Sequence, residues 1–311
     1  MPDPITITVD GKQVTAKPGQ TIIQAAMDAG LYIPYLCYFP KMKPYGACRM
    51  CLVETEVTGP RGVIKAVVAS CTAPPAKDMI VRTNTGQVVD LRRGIIDLLM
   101  AEHPHGCLTC HRIELCGPQD ICQRHVSVTD RCTICPKNER CELKDTVRSL
   151  ELDLRTPLNY HRRNLPIHTD DPFYDRDYNL CIVCARCVRV CEEVRFDTAL
   201  TMTNRSGVTL VGTSRGTSLL ESGCEFCGAC IDACPVGALV ERDYKWEKAA
   251  RKVTTVCTNC PVGCQMVAEV NRFDKVIRFV GDLAGEANNG QACLKGKFAY
   301  DYPNSKRRLK Y

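Results

Sequence analysis

The first hundred residues show two kinds of hydrophobic periodicity. Apolar and polar residues alternate through residues 5–16 on either side of a central Asp-Gly pair, which predicts a β-hairpin. From Ile22, apolar residues recur at helical spacing as far as Gly30, which predicts a helix that ends there. A second helix-like run occupies residues 95–100. The chain therefore begins with a mixed α and β module.

The rest of the chain continues in short elements. Residues 199–212 hold two short runs around a Ser-Gly pair, which predicts a second hairpin. Residues 148–172 are charged and interrupted by prolines, which predicts a connecting segment. With 311 residues but only 6% aromatic residues, the chain is expected to form several small α+β modules rather than one large core.

Cysteine content changes this picture most. The 23 cysteines are odd in number, and many form C-x2-C pairs, which indicates metal ligation in a reducing compartment rather than a secreted disulfide framework. No export signal opens the chain, and no apolar run is long enough to span a bilayer. We expect a cytoplasmic protein, or one at the cytoplasmic face within a complex, that meets the membrane only through partners.

The formal net charge of +6 does not predict nucleic-acid binding. Ligating thiolates are deprotonated, and the charge of a bound metal site belongs to the total, so the loaded protein is expected to be far less basic. The basic tail at residues 306–310 is interpreted as a solvated end or a domain junction.

Two copies of the motif C-x2-C-x2-C-x3-C dominate the centre of the chain. In bacterial-type ferredoxins this spacing holds [4Fe–4S] clusters, and the last cysteine of each copy binds the other cluster. Zinc knuckles or a disulfide framework are the alternatives, which the doubled motif disfavours. The first copy has Glu192 in place of the usual proline, which leaves the ligands intact. The predicted ligand sets are Cys181, Cys184, Cys187 with Cys234, and Cys224, Cys227, Cys230 with Cys191.

A different spacing follows the first hairpin and helix. The cysteines read C-x10-C-x2-C-x19-C, which is not the plant-type ferredoxin spacing. This module resembles the β-grasp [2Fe–2S] domain at the front of the large complex I subunit and of its relatives in formate dehydrogenases and iron hydrogenases. A hairpin at residues 59–62 lengthens the last gap, and zinc is the alternative metal. The resemblance implies one [2Fe–2S] cluster on Cys37, Cys48, Cys51 and Cys71.

A histidine precedes the next cysteine group. The spacing H-x3-C-x2-C-x5-C resembles the unusual cluster site of the same families, which uses one histidine and three cysteines. An imidazole in place of a thiolate removes a negative charge and is expected to raise the reduction potential. The implied ligands are His103, Cys107, Cys110 and Cys116, with His105 as a spare.

The cysteine part of this site is repeated 25 residues later, as C-x2-C-x5-C. The second copy, Cys132, Cys135 and Cys141, needs a fourth ligand, for which Cys122 is the first candidate and His125 the second. With His103, the 23 cysteines fill six sets of four. This inventory predicts one [2Fe–2S] and four or five [4Fe–4S] clusters, the lower number if zinc occupies the repeated site.

The last motif reads C-x2-C-x3-C-x28-C-x-K-G. It resembles the N-terminal [4Fe–4S] domain of molybdopterin oxidoreductases, in which the motif lysine lies between the cluster and the pterin. A solvated surface lysine is the alternative for that position. The catalytic domain that follows in this family needs hundreds of further residues, so it is expected downstream or in a partner. The implied ligands are Cys257, Cys260, Cys264 and Cys293, with Lys295 as the cofactor-binding residue.

Together the modules resemble the N-terminal iron–sulfur region of the NAD-dependent formate dehydrogenase alpha subunit, with the large subunit of complex I (the 75 kDa-type, or G-type, NADH dehydrogenase subunit) as a near relative. The resemblance implies four domains. They are a β-grasp [2Fe–2S] domain at 1–83, a His–Cys cluster segment with the repeated motif at 84–147, a two-cluster ferredoxin domain at 148–245 and a molybdopterin-oxidoreductase-type [4Fe–4S] domain at 246–311.

The implied function is electron transfer between a flavin subunit that reacts with NAD(P)H and a catalytic partner of the molybdenum or tungsten formate dehydrogenase type. Alternatives are a peripheral-arm subunit of a complex I-like NADH:quinone oxidoreductase, an electron-wire subunit of an NAD-linked hydrogenase, and, from another class, a zinc-binding scaffold. No G-x-G-x-x-G turn, P-loop or bond-making constellation is evident. We therefore assign no catalytic residue to this chain.

Overall fold

The computed structural model describes residues 4–60, 62–104, 107–108, 110, 115–116, 122, 132–151 and 160–308. In these residues, short helices accompany one five-stranded sheet, two three-stranded sheets and one hairpin. The mixed helix and sheet content agrees with the α+β expectation. No helix in the described part of the chain combines the length and apolar character that crossing a bilayer requires.

The five-stranded sheet is formed by the first eighty residues. Its strands are β1 (Ile5–Val9), β2 (Lys12–Ala16), β3 (Leu52–Gly59), β4 (Gly62–Ala69) and β5 (Ile80–Arg82). Their spatial order is β2-β1-β5-β3-β4, with β1 and β5 parallel and the other neighbours antiparallel. The predicted first hairpin is confirmed by the pairing of Val9 with Lys12.

Helix α1 (Ile22–Asp28) packs on this sheet. It begins after Thr21, whose backbone N–H donates to the Gln24 side chain at 2.9 Å, so that a capping box satisfies the first turn. Its buried residues, Ile22, Ile23, Ala25 and Ala26, join the core of the sheet. The predicted helix therefore forms. It ends shortly before Gly30, whose φ of +71° is a left-handed conformation that cannot continue the helix.

Helix α2 (Gly86–Met100) is longer than the predicted run at 95–100. The Thr85 side chain caps its N-terminus. The first half looked polar in the sequence, but Arg92 is only 2% exposed. Its guanidinium donates to the carbonyls of Met50 and Leu52, at 3.0 and 2.7 Å, and so fastens the helix to the cysteine loop before β3.

The remaining strands are β6 (Ile167–His168), β7 (Tyr174–Asp177), β8 (Leu200–Thr203), β9 (Leu210–Thr213), β10 (Leu239–Glu241), β11 (Arg251–Val256), β12 (Gln265–Val270) and β13 (Val276–Gly281). They form the sheets β10-β7-β6 and β11-β12-β13 and the hairpin β8-β9. The last of these confirms the hairpin predicted at 199–212.

The other helices are short. They are α3 (Glu142–Ser149), α4 (Arg186–Arg189), α5 (Ala229–Ala233), α6 (Leu294–Phe298) and α7 (Asp301–Asn304). Helix α4 continues into a π-helical segment at Val190–Val194. Each of α4, α5 and α6 directly follows, or contains, a cysteine of a predicted cluster motif.

The buried apolar residues form two clusters. One belongs to the first sheet and α1. The other runs from Leu36, beside the first cysteine, through the ferredoxin region to Tyr300, and seven cysteines of the repeated motif and the ferredoxin motifs are members of it. The interior that joins these modules is therefore partly built from thiols.

Candidate metal centres

The first sheet positions the predicted [2Fe–2S] ligands. The backbone N–H of Cys37 donates to Cys48 Sγ at 3.3 Å, and the N–H of Cys48 donates to Cys37 Sγ at 3.4 Å. Contact with the partner thiol lowers the pKa of Cys37 to about 5 and that of Cys51, beside Cys71, to about 7. All four predicted ligands thus meet as two sulfur pairs beside one loop.

The four thiols of the first ferredoxin set line one small cavity: Cys181, Cys184, Cys187 and Cys234. In the second set, burial and then the nearby thiols of Cys227, Cys224 and Cys191 raise the pKa of Cys230. The structure therefore brings together both crossed sets that the motif predicts. Their role as ligands stays a prediction.

The two ferredoxin loops share an unusual backbone. Val183 and Ala185 have φ of +53° and +61°, and the equivalent positions of the second loop, Phe226 and Gly228, have +53° and +75°. Alternating left-handed residues turn successive N–H groups towards the centre of a loop. The N–H groups of Val183 and Phe226 point at Cys181 Sγ and Cys224 Sγ, at 3.3 and 3.4 Å. Both loops therefore suit an anionic group surrounded by sulfur.

Tyr174 is a site residue that no sequence motif marked. Its ring is 1% exposed on β7. Its hydroxyl lies 4.0 Å from Cys224 Sγ and 3.8 Å from Cys230 Sγ. The Tyr174 hydroxyl is therefore close enough to donate to a thiolate of this set. Hydrogen bonds to ligand sulfurs are one way in which a protein adjusts the reduction potential of a cluster.

The repeated motif surrounds a larger cavity of about 260 Å³, lined by Cys132, Cys135, Cys141 and His103, among other residues. A hydrogen bond with Cys107, followed by burial, raises the pKa of Cys132. The two copies of the motif are thus in contact. His103, not Cys122, appears in the cavity wall.

The other predicted ligands of this segment that the structure describes do not line the cavity of the repeated motif. Cys110, Cys116 and Cys122 are partly buried. His105 and His125 lie outside the described residues.

The last predicted set lies at the end of the β11-β12-β13 sheet. The N–H of Cys257 donates to the carbonyl of Cys264 at 2.8 Å. Burial, and then the thiols of Cys257, Cys260 and Cys293, raise the pKa of Cys264, so the four are neighbours. Cys260 and Cys293 are exposed.

The lysine predicted in this motif is exposed, and another lysine is buried. Lys295 lies on the surface, and its carbonyl accepts a hydrogen bond from Asn259. Lys297, two residues on, is 1% exposed. Its burial depends on contacts with distant segments, so the local motif carried no signal for it.

The donor sets fit iron–sulfur clusters chemically. Thiolates are soft ligands that iron–sulfur clusters require, and one imidazole can replace a thiolate. Nowhere in the described residues do three or more His, Cys, Asp or Glu side chains converge on a position for a single metal ion. Buried sulfurs that accept backbone N–H groups, as at Cys181 and Cys224, match the hydrogen bonding by which proteins tune such clusters.

Four family models match successive parts of the chain. They are a 2Fe-2S iron-sulfur cluster binding domain at 2–86, the NADH-ubiquinone oxidoreductase-G iron-sulfur binding region at 92–127, the ferredoxin-like domain of NADH-quinone oxidoreductase subunit 3 at 171–240, and the molybdopterin oxidoreductase Fe4S4 domain at 250–305. Each model covers a group of the predicted ligands.

Whole-chain relatives agree with these models. The chain is 30% identical to the G 2 subunit of the NADH-quinone oxidoreductase of Rhizobium meliloti (strain 1021), over 98% of this chain and 32% of that protein. It is 31% identical to the NADPH-Fe(3+) oxidoreductase subunit alpha of Geobacter sulfurreducens (strain ATCC 51573 / DSM 12127 / PCA), again over 98% of this chain and 32% of that protein. The chain thus spans about a third of the length of these relatives.

A solved structure is also similar. The crystal structure of an NAD+-reducing [NiFe]-hydrogenase in the H2-reduced state contains a chain that matches with a TM-score of 0.59 and 26% sequence identity. The match covers 76% of this chain and 87% of that chain. Over nearly its whole length, the present chain therefore belongs to the complex I 75 kDa-type family. It corresponds to the part of that family's proteins that holds the iron–sulfur domains.

Proposed function

We propose that this chain is the electron-transfer part of an NAD(P)H-linked oxidoreductase. It would relay electrons between a flavin subunit that reacts with the nicotinamide and a catalytic partner. The observation that supports this most is the packing of thiol sets from successive modules into one apolar interior. Relays need redox centres held at short, fixed separations, and a shared core supplies that rigidity.

The catalytic partner is proposed to be a molybdenum or tungsten site of the formate dehydrogenase type, because the C-terminal module matches a molybdopterin oxidoreductase domain. A complex I-like or hydrogenase-type assembly is the second candidate. It is favoured by the names of the relatives, which are NADH-quinone, NADPH-Fe(3+) and hydrogenase subunits. In each case the membrane would be met only through partners.

When bound, the clusters supply centres that accept and release single electrons. The chain's own residues hold them, exclude water and tune them. We propose as ligands the [2Fe–2S] set, both crossed ferredoxin sets and the C-terminal set, as grouped above. Tyr174 and the loop N–H groups would donate to the sulfurs.

For the repeated segment we propose a different grouping from the one the sequence predicts. His103 lines the cavity of Cys132, Cys135 and Cys141, and its Nδ1 lies 2.9 Å from the Pro104 carbonyl. A carbonyl only accepts hydrogen bonds, so Nδ1 carries the proton and Nε2 is the nitrogen that can bind metal. We propose His103 as the fourth ligand of this set.

The four remaining cysteines would then form the other set: Cys107, Cys110, Cys116 and Cys122. With this grouping, the 23 cysteines and His103 still fill six sets of four ligands. A zinc ion in place of one cluster at the repeated motif remains the alternative occupant.

The test is anaerobic purification of the native protein, with iron and acid-labile sulfide analysis, EPR after dithionite reduction, and mass spectrometry of co-purifying chains. About 22 irons per chain are expected, two for the [2Fe–2S] site and four for each of five others. About 18 irons with one zinc would place zinc at the repeated motif. A colourless protein without labile sulfide would overturn the proposal and favour a zinc scaffold. Co-purifying molybdenum, tungsten or a hydrogenase chain identifies the partner.

A further inference from the structure

Helix α6 connects the C-terminal thiol set to the ferredoxin module. The N–H of Lys297 donates to the Cys293 carbonyl at 2.9 Å, which places Lys297 one turn beyond that cysteine. On the same helix, a Cβ at Gly296 would lie 3.7 Å from Cys257 Sγ. The helix therefore lies against the C-terminal set directly.

The other side of the helix meets the second ferredoxin loop. Gly228, between Cys227 and Cys230, leaves room for the Lys297 stem, because a Cβ there would lie 2.6 Å from Lys297 Cγ. Gly228 also has φ of +75°, which a side chain rarely adopts. Lys297 thus packs on the backbone that encloses one cluster site while its own helix borders another.

The Lys297 ammonium is fully enclosed. Its side chain is 0% exposed, and Nζ lies 2.5 Å from Asp232 Oδ1 and 3.2 Å from Glu241 Oε1. It also donates to the Phe279 carbonyl at 2.9 Å. Asp232 belongs to α5, the helix that carries Cys230. The ammonium therefore lies in the interface between the two modules.

Two more cations belong to this group, the buried Lys137 and Arg140, whose side chain is 20% exposed. Arg140 pairs with Glu241 at 2.5 Å, and Lys137 donates to the Ile231 carbonyl at 3.0 Å. Three cations face two carboxylates, so the group carries one net positive charge. In a low-dielectric interior such a charge acts over a longer distance than one in water. A nearby positive charge favours the more negative, reduced form of a cluster.

We propose that Lys297, rather than Lys295, is the charged contact between the Cys224–Cys230 site and the Cys257–Cys293 site, and that it raises the reduction potential of the former. This inference rests on the proposed electron-transfer function. Lys297 is a positioning residue in this role, since it touches the enclosing backbone and not the sulfurs. Lys295 is exposed, and water screens its charge.

The test uses the cluster-loaded protein in potentiometric titrations followed by EPR. Lys297→Met is expected to lower the midpoint potential of the cluster at the Cys224–Cys230 site, because it removes the buried cation. Lys295→Met is the matched control and is expected to leave that potential unchanged. An unchanged potential in Lys297→Met at full iron content, or an equal shift in Lys295→Met, would overturn the inference.

Because Lys297→Met leaves Asp232 buried without its ion-pair partner, while Glu241 keeps Arg140, a second variant guards against loss of folding. Asp232→Asn is nearly isosteric and removes a negative charge from the same group, so the potential is expected to rise. No rise in Asp232→Asn contradicts the inference even if Lys297→Met loses iron. A wild-type protein without labile sulfide would instead refute the proposed function, which keeps the two failures distinct.

Discussion

Arg186 and Glu142 form a two-pronged ion pair, with Nη1–Oε1 and Nη2–Oε2 distances both 2.8 Å. Arg186 lies between two cysteines of the first ferredoxin loop, and Glu142 follows the last cysteine of the repeated motif. The Arg186 guanidinium also lies 5.7 Å from the Tyr35 ring centroid and 5.6 Å from that of Phe39, which are two residues before and two residues after Cys37. A single side chain therefore joins three thiol sets.

Replacing Arg186 is expected to loosen this junction. Arg186→Met should destabilise the loaded protein by about 2 kcal/mol. This is somewhat less than the cost of breaking a fully buried ion pair, since Glu142 is partly exposed and water can solvate it in the variant. Arg186→Lys should recover only part of the loss, because an ammonium cannot make the parallel bonds of a guanidinium. Anaerobic denaturant unfolding measures both. Wild-type stability in Arg186→Lys would show that charge alone matters there.

Iron counting distinguishes the two groupings of the repeated segment. If His103 and Cys141 hold one cluster, His103→Ala and Cys141→Ala should each remove about four irons, and the double variant should also remove about four. A loss of about eight irons in the double variant would support the contiguous grouping instead. The EPR signal of the [2Fe–2S] site, on its own sheet, reports that each variant is folded.

Gly237 is expected to tolerate no side chain. A Cβ there would lie 2.6 Å from Cys135 Sγ and 3.1 Å from Leu180 Cδ1. Gly237→Ala should therefore lower the occupancy of the repeated site, as measured by iron content. Gly94→Ala is the control, because nothing lies within 4 Å of its added Cβ. It lies inside α2 and should stabilise the protein by about 0.5–1 kcal/mol. Full iron in Gly237→Ala would contradict the close contact.

Arg92 is expected to matter for the [2Fe–2S] site although it touches no sulfur. Its three donors bond the carbonyls of Met50, Leu52 and Thr83. Arg92→Leu would leave the buried Met50 carbonyl without this donor, at about 1–3 kcal/mol, whereas the part-buried carbonyls of Leu52 and Thr83 can accept from water instead. We expect a lower unfolding free energy and faster loss of the [2Fe–2S] absorbance under denaturant. Arg93→Leu, half-exposed on the same helix, is the control and should behave like wild type.

The buried pair Glu269–Arg278 predicts a pH-dependent effect. Burial alone would raise the pKa of Glu269, but Arg278, 2.7 Å away, outweighs it and lowers that pKa. The carboxylate therefore stabilises the fold above its unfolded pKa, and this contribution is lost as the pH falls through the folded value.

Arg278→Met reverses this sign, because it removes the nearer cation and leaves the buried Glu269 only Lys252, an exposed side chain 3.5 Å away. The variant should be destabilised by about 3 kcal/mol near neutral pH. The deficit should shrink at about pH 5.5, where the carboxyl, with its pKa now raised, can protonate. Denaturant unfolding of the two proteins at both pH values measures this. Adding Glu269→Met should restore stability at neutral pH. A deficit that is independent of pH would show that lost packing, not charge, is responsible.

Cysteine spacing predicted which ferredoxin thiols are neighbours, including the distant Cys191 and Cys234, because the repeated motif implies the crossing. The ferredoxin and C-terminal thiols lie together in the structure, and their role as ligands stays a prediction. How the copies of the repeated motif share ligands depends on tertiary packing, so the grouping that spacing predicts and the one proposed above both stay predictions. Spacing also drew attention to Lys295, whereas the buried lysine is Lys297, whose ion-pair partner Asp232 lies 65 residues upstream.

The same limit applies to polar residues in the interior. No sequence pattern marked Arg92, which precedes the predicted run at 95–100, or Arg186, yet both are almost completely buried. The Met50 carbonyl, which Arg92 bonds, and the Glu142 carboxylate, which Arg186 bonds, lie about forty residues away along the chain. Hydrophobic periodicity cannot identify such residues, because the carbonyls and carboxylates that satisfy them are brought close only by the fold.

Thiols are part of the apolar interior that joins the modules, and this has a consequence for biogenesis. Because most of the ferredoxin thiols are buried, we expect iron and sulfide to reach them before the modules close around them. A host that synthesises the polypeptide faster than it assembles clusters would accumulate collapsed chains with inaccessible cysteines. Yield would then follow the supply of cofactor more closely than the level of transcript.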